Sequence, residues 1–132
     1  MFFFKLYVLT VPVFLLIDMI WLGVVAKGFY RKNLDYLLSP QPNWAAAIGF
    51  YLLFIVGILV LVVQPALEKD SFVRAALLGG LFGLIAYATY DMTNLATIRN
   101  WPVRVAVVDM LWGTVLCAVV SMAAFGFGKW LS

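Results

Sequence analysis

The chain has 132 residues, of which 66% are hydrophobic and 11% charged, with a net charge of +3 and a mean hydropathy of +1.06. No water-soluble core hides that much apolar surface, and four helices of about 20 residues, the length that crosses a bilayer, use up most of the chain. No separate soluble domain is expected, and basic residues set near helix ends mark interface anchoring, not a nucleic-acid surface.

The first apolar segment covers about residues 2 to 25. It has no basic run before it and no small-residue cleavage site after it, so it reads as a transmembrane helix and not a removable signal peptide. Pro12 inside it is expected to bend the helix. The connection from Lys27 to Asn43 is long enough for structure of its own. Phe29, Tyr30, Leu34, Leu37 and Leu38 share one side of a short interfacial helix, with Arg31, Lys32 and Asp35 on the other and Ser39-Pro40 as its stop. The second span covers about residues 44 to 63 and ends at Gln64-Pro65. The third covers about 72 to 98 and the fourth about 103 to 127. The tight Arg99-Asn100-Trp101-Pro102 turn between them makes these two antiparallel neighbours. The fold class is therefore an all-α integral membrane protein, a single domain of four transmembrane helices in an up-down bundle.

Orientation rests on a narrow basic bias. Lys27, Arg31, Lys32, Arg99 and Arg104 lie on one side, and Lys5, Lys69, Arg74 and Lys129 on the other. The first helix usually dominates, and its basic cluster follows it, so both termini are expected outside the cytoplasm.

Three aspartates carry the chemical information. Asp18 and Asp91 lie about seven residues before the ends of their helices and Asp109 about six after the start of its own, which puts all three roughly 10 Å below one surface. Facing lipid they would cost on the order of 8 to 10 kcal/mol together, so they are expected to face inward. Three carboxylates that close cannot all stay ionised, and shared protons or a bound cation should accompany them. Arg99 and Arg104 are the candidate counter-charges. On the third helix, Gly80, Gly83, Tyr87, Asp91 and Asn94 form one stripe, with Thr93 adding a hydroxyl nearby. Asp18 precedes Trp21 and Asp109 precedes Trp112 by three residues, so each pair shares a helix face.

Histidine is absent and Cys117 is the only cysteine, which removes the commonest general base and metal ligand and any internal disulfide. No cofactor is expected beyond a cation at the aspartate layer, and the identity of any metal is left open.

The run from Tyr87 through Asp91 and Asn94 to Thr97, then Trp101-Pro102 and Val108-Asp109-Met110-Leu111-Trp112-Gly113, resembles the hallmark of domain-of-unknown-function family 2177. Asp18 and Trp21 in the first helix, and Phe50, Tyr51, Gly57 and Pro65 in the second, extend the resemblance over essentially the whole chain. It implies a compact bacterial inner-membrane protein and brings no activity with it.

Three function classes follow. A carrier would bind a small cationic or polar solute, or protons, at the aspartates, with aromatic rings lining its cavity and an oligomer as the working unit. A membrane enzyme or accessory subunit acting on a lipid or isoprenoid would use the aspartates as acid/base groups or magnesium ligands, but no phosphate-cradling loop or nucleophile-base pair supports it. A structural subunit paired with another membrane protein would need only packing faces.

Overall fold

The computed structural model describes residues 1–38 and 41–132, so the stop expected at Ser39-Pro40 lies outside the described residues. Four helices are long and apolar enough to cross a membrane: α1 (Phe2–Val25), α3 (Trp44–Glu68), α4 (Phe72–Thr97) and α5 (Val103–Leu131). The short α2 (Lys27–Leu34) lies between the first two. Leu16, Leu53, Leu77 and Val103 are exposed around the bundle, as expected when hydrocarbon is the solvent.

α1 and α4 each bury a narrow stripe. Along α1 the fully or nearly fully buried residues are Leu6, Thr10, Phe14 and Asp18, an unbroken four-residue spacing that keeps one face toward the bundle. Along α4 the stripe is Ala75, Gly79, Gly83 and Asp91. The close approach to α5 is thus made by Gly79 and Gly83, and not by the Gly80 read from the sequence. A Cβ at Gly83 would run into the Gly113 backbone carbonyl, whereas one at Gly80 would rest 3.6 Å from a Thr114 methyl carbon. Gly113 answers on α5, because a Cβ there would meet the Tyr87 ring. Backbone-to-backbone contact of this kind holds membrane helices together where no hydrophobic effect can.

The apolar core gathers Leu6, Phe14, Ile55, Ile58, Leu59, Leu116 and Val120 from α1, α3 and α5, toward the end that carries both termini. A second cluster of Leu34, Trp101, Val105 and Ala106 pins α2 against the turn before α5. The Tyr36 hydroxyl donates to the Asn100 carbonyl at 2.7 Å, and Asn100 takes a left-handed conformation, φ 63, that asparagine tolerates better than most residues.

α1 runs through Pro12 and widens at Trp21–Val25 to a π-helical turn closed by the Ala26 amide on the Trp21 carbonyl at 2.7 Å. One helical expectation needs correction. α3 does not stop at Gln64-Pro65 but runs on to Glu68. A second π-helical turn, Leu59–Val63, precedes the proline. Widening the turn makes room for the ring and for the carbonyl that proline leaves without a donor.

Candidate functional site

The two Asp-x-x-Trp segments meet because α1 and α5 are antiparallel. Asp and Trp three residues apart are separated by about 4.5 Å along a helix, so reversing one helix sets each aspartate level with the other helix's tryptophan. Trp112 donates its indole N–H to Asp18 Oδ1 at 3.1 Å. Trp21 stacks on Trp112 with ring centroids 4.4 Å apart and planes 6° from parallel. Its own indole N–H goes to the Tyr30 hydroxyl at 3.1 Å, and Tyr30 donates onward to Asp109 Oδ1 at 2.7 Å. The result is a closed bridge, Asp18–Trp112–Trp21–Tyr30–Asp109. Stacking of this kind contributes about 0.5–1.5 kcal/mol and each bond to a charged acceptor about 1.5–3 kcal/mol.

Tyr30 was read from the sequence only as part of an interfacial face. It belongs instead to the site, brought in by α2 as Leu34 packs beneath Trp101. Burial, followed by the bond to Asp109 and its charge, pushes the Tyr30 hydroxyl well above the ordinary tyrosine value. It therefore remains a donor. The stability this gives is complete below the unfolded tyrosine value of about 10 and is lost only as strongly alkaline pH approaches the raised folded value. Tyr30→Phe should break the bridge in its middle and lower stability by about 1–3 kcal/mol. The check is a thermal melt in detergent, together with loss of the exciton couplet that two stacked indoles give in circular dichroism.

Two cavities flank this bridge. The first, about 540 Å³, is lined by Asp18, Asp109 and eight aromatic rings, those of Trp21, Tyr30, Phe50, Tyr51, Phe54, Tyr87, Tyr90 and Trp112. The Tyr51 hydroxyl stands within hydrogen-bonding reach of Asp18. The second, about 980 Å³, lies beneath α2 and is lined among others by Lys27, Arg31, Asp35, Asp91, Trp101 and Asp109. Leu22, Tyr30, Tyr90 and Asp109 line both.

The residues singled out from sequence divide accordingly. Asp18, Trp21, Tyr87, Asp109 and Trp112 face the aromatic cavity. Asp91, completely buried, faces the other. Asp109 is the middle of the three, lying within electrostatic range of both its counterparts. Asn94 stands beside Tyr90 and lines neither cavity. Thr93 is exposed, and its carbonyl accepts from the Thr97 hydroxyl at 2.8 Å. Arg99 and Arg104 are exposed and line neither cavity. The Trp101 and Val105 cluster fills the inner side of the turn, leaving these long side chains to reach the headgroup region. Among the described residues the ion pair that does form is Lys129 with Asp70 at 2.7 Å, at the opposite end of the bundle. No three acidic or thiol side chains among the described residues converge closely enough to hold a metal ion.

The hydroxyl of Tyr90 is expected near Asp91 from its place in the sequence, whereas Tyr30, Phe50, Tyr51 and Phe54 are not placed in the site by sequence reasoning. Phe50 and Tyr51 are visible only as part of the family resemblance, Tyr30 only as part of an interfacial face and Phe54 only as aromatic content.

A four-span bundle with an acidic, aromatic cavity inside it defines a small polytopic membrane protein. The chain belongs to the predicted membrane protein family DUF2177, which it matches over residues 3–126. No curated protein and no solved structure matches it.

Proposed function

We propose that the protein binds a small organic cation, an amine or ammonium ion, in the aromatic cavity between Asp18 and Asp109, and carries it through the membrane. The observation that supports this is the lining itself: eight aromatic rings and two carboxylates around one space of about 540 Å³. Ring quadrupoles attract a cation over their faces by about 2 kcal/mol or more when it is desolvated, and the carboxylates supply the counter-charge that an ammonium ion needs away from water. Anions meet charge of their own sign and are repelled, and neutral solutes gain only the apolar contact. On the basic-residue bias, both termini lie outside the cytoplasm of a bacterial inner membrane and the aspartates in its cytoplasmic half. A chain of this size works as a homo-oligomer or beside another membrane protein.

Two measurements test the reading. Tetraethylammonium should quench or shift the fluorescence of the stacked tryptophans in purified protein, saturably, and proteoliposomes should take up the labelled ion faster than empty vesicles. Absence of both effects in folded protein sinks the proposal. For orientation, a thiol probe that cannot cross membranes should label a cysteine added after Ser132 in intact cells once the outer membrane is permeabilised. Labelling only after lysis reverses the assignment.

A further inference from the structure

Asp91 raises a question that the aromatic cavity does not answer. It is wholly buried, lines the cavity beneath α2, and among the described residues its carboxylate oxygens receive no N–H or O–H, the one group within hydrogen-bonding reach being the Asp109 carboxyl, which could bond to it only through a shared proton. A carboxyl left so is costly unless positive charge joins it. The neighbours do not provide it. From α5 it faces Asp109, of like sign, and from α2 and its own helix the hydroxyls of Tyr30 and Tyr90. Lys27 and Arg31 line the same cavity beside Asp35 but are exposed. The cavity also receives Trp101, whose indole N–H is buried without an acceptor. An unmet acceptor pair and an unmet donor around one polar space fit a small hydrated occupant.

We infer that Asp91 is the centre of a second cation site, taken by a proton or an alkali-metal ion, and that this ion is exchanged for the organic cation because both sites draw on Asp109. Asp109 borders both cavities. With the Asp91 site filled, the small ion offsets one of the two negative charges of the Asp91–Asp109 pair. An ammonium ion arriving in the aromatic cavity claims Asp109, and the small ion leaves through the cavity beneath α2, so one positive charge enters as one departs. The exchange rests on the organic-cation reading, whereas occupancy of Asp91 does not.

Calorimetry with tetraethylammonium separates the sources. If the occupant is a proton, the binding heat depends on the ionisation enthalpy of the buffer, corresponding to release of about one proton per ion bound. If it is an alkali ion, added sodium or potassium weakens binding beyond ordinary screening, by roughly tenfold per tenfold rise in salt once the site is saturated. Either effect should vanish in Asp91→Asn, which still binds tetraethylammonium. Equal heats in all buffers, with no salt effect beyond that of the variant, overturn the exchange. Occupancy is read without any organic cation, as a neutral-carboxyl infrared band or a rise in melting temperature with sodium or potassium, in the wild-type chain. If neither appears, the Asp91 site is wrong even where tetraethylammonium binds. If tetraethylammonium does not bind, the exchange falls with the organic-cation reading, and these two measurements still decide the site.

Discussion

Replacing Asp109 by Asn should weaken binding of an organic cation roughly thirtyfold, about 2 kcal/mol, the lower end of what truncating one partner of a buried charge pair costs. Asp109 is the only aspartate that borders both cavities, and it is also the terminus of the indole–phenol bridge. The asparagine side chain keeps an oxygen to accept from Tyr30, so the fold should survive and the loss should appear in affinity. Fluorescence titration of the variant beside the wild-type chain is the check. An unchanged affinity would move the cation away from Asp109 altogether.

The second large effect is on assembly of the bundle. Gly83→Ala should separate α4 from α5, because the added Cβ falls on the Gly113 backbone carbonyl and within 2.8 Å of the Cys117 Cβ. Neither is the free end of a flexible side chain. Overpacking of this sort costs about 1–3 kcal/mol, and both Tyr87 and Asp91 lie on the displaced stripe. Gly80→Ala, one residue away in sequence, meets only ordinary contact and should be neutral or slightly stabilising through its helix propensity. Melting temperatures of the two variants in one detergent should differ clearly, with Gly83→Ala the lower. Equal values would mean that the glycine stripe does not set the packing.

Much of the architecture was legible in the sequence because bilayer length and apolar composition leave few alternatives. The four spans, the antiparallel turn before Val103 and the inward aspartates follow from lengths and from the cost of charge in hydrocarbon. The pairing of Asp18 with Trp112 was half legible: the repeated spacing was visible, but its meaning needed the antiparallel contact of α1 with α5. Tyr30 was not legible, since it reaches Asp109 across 79 positions of sequence and nothing local distinguishes it from Phe29. The choice of Gly79 over Gly80 depends on a rotation of α4 by one residue, which spacing alone does not fix when both lie beside Gly83. The arginines misled for a physical reason. Their reach permits either a buried carboxylate or the headgroup layer, and the packed Leu34–Trp101–Val105 cluster decides for the second.

On the proposed reading, positive charge, and not size or apolarity alone, selects the ligand of the aromatic cavity. Choline and its uncharged isostere dimethylbutanol have nearly the same shape, so their binding to the wild-type protein, followed by fluorescence of Trp21 and Trp112, isolates the charge. Choline should bind saturably, with dimethylbutanol weaker by at least about tenfold, or about 1.4 kcal/mol. Equal binding of the two, or preference for the alcohol, would contradict the reading.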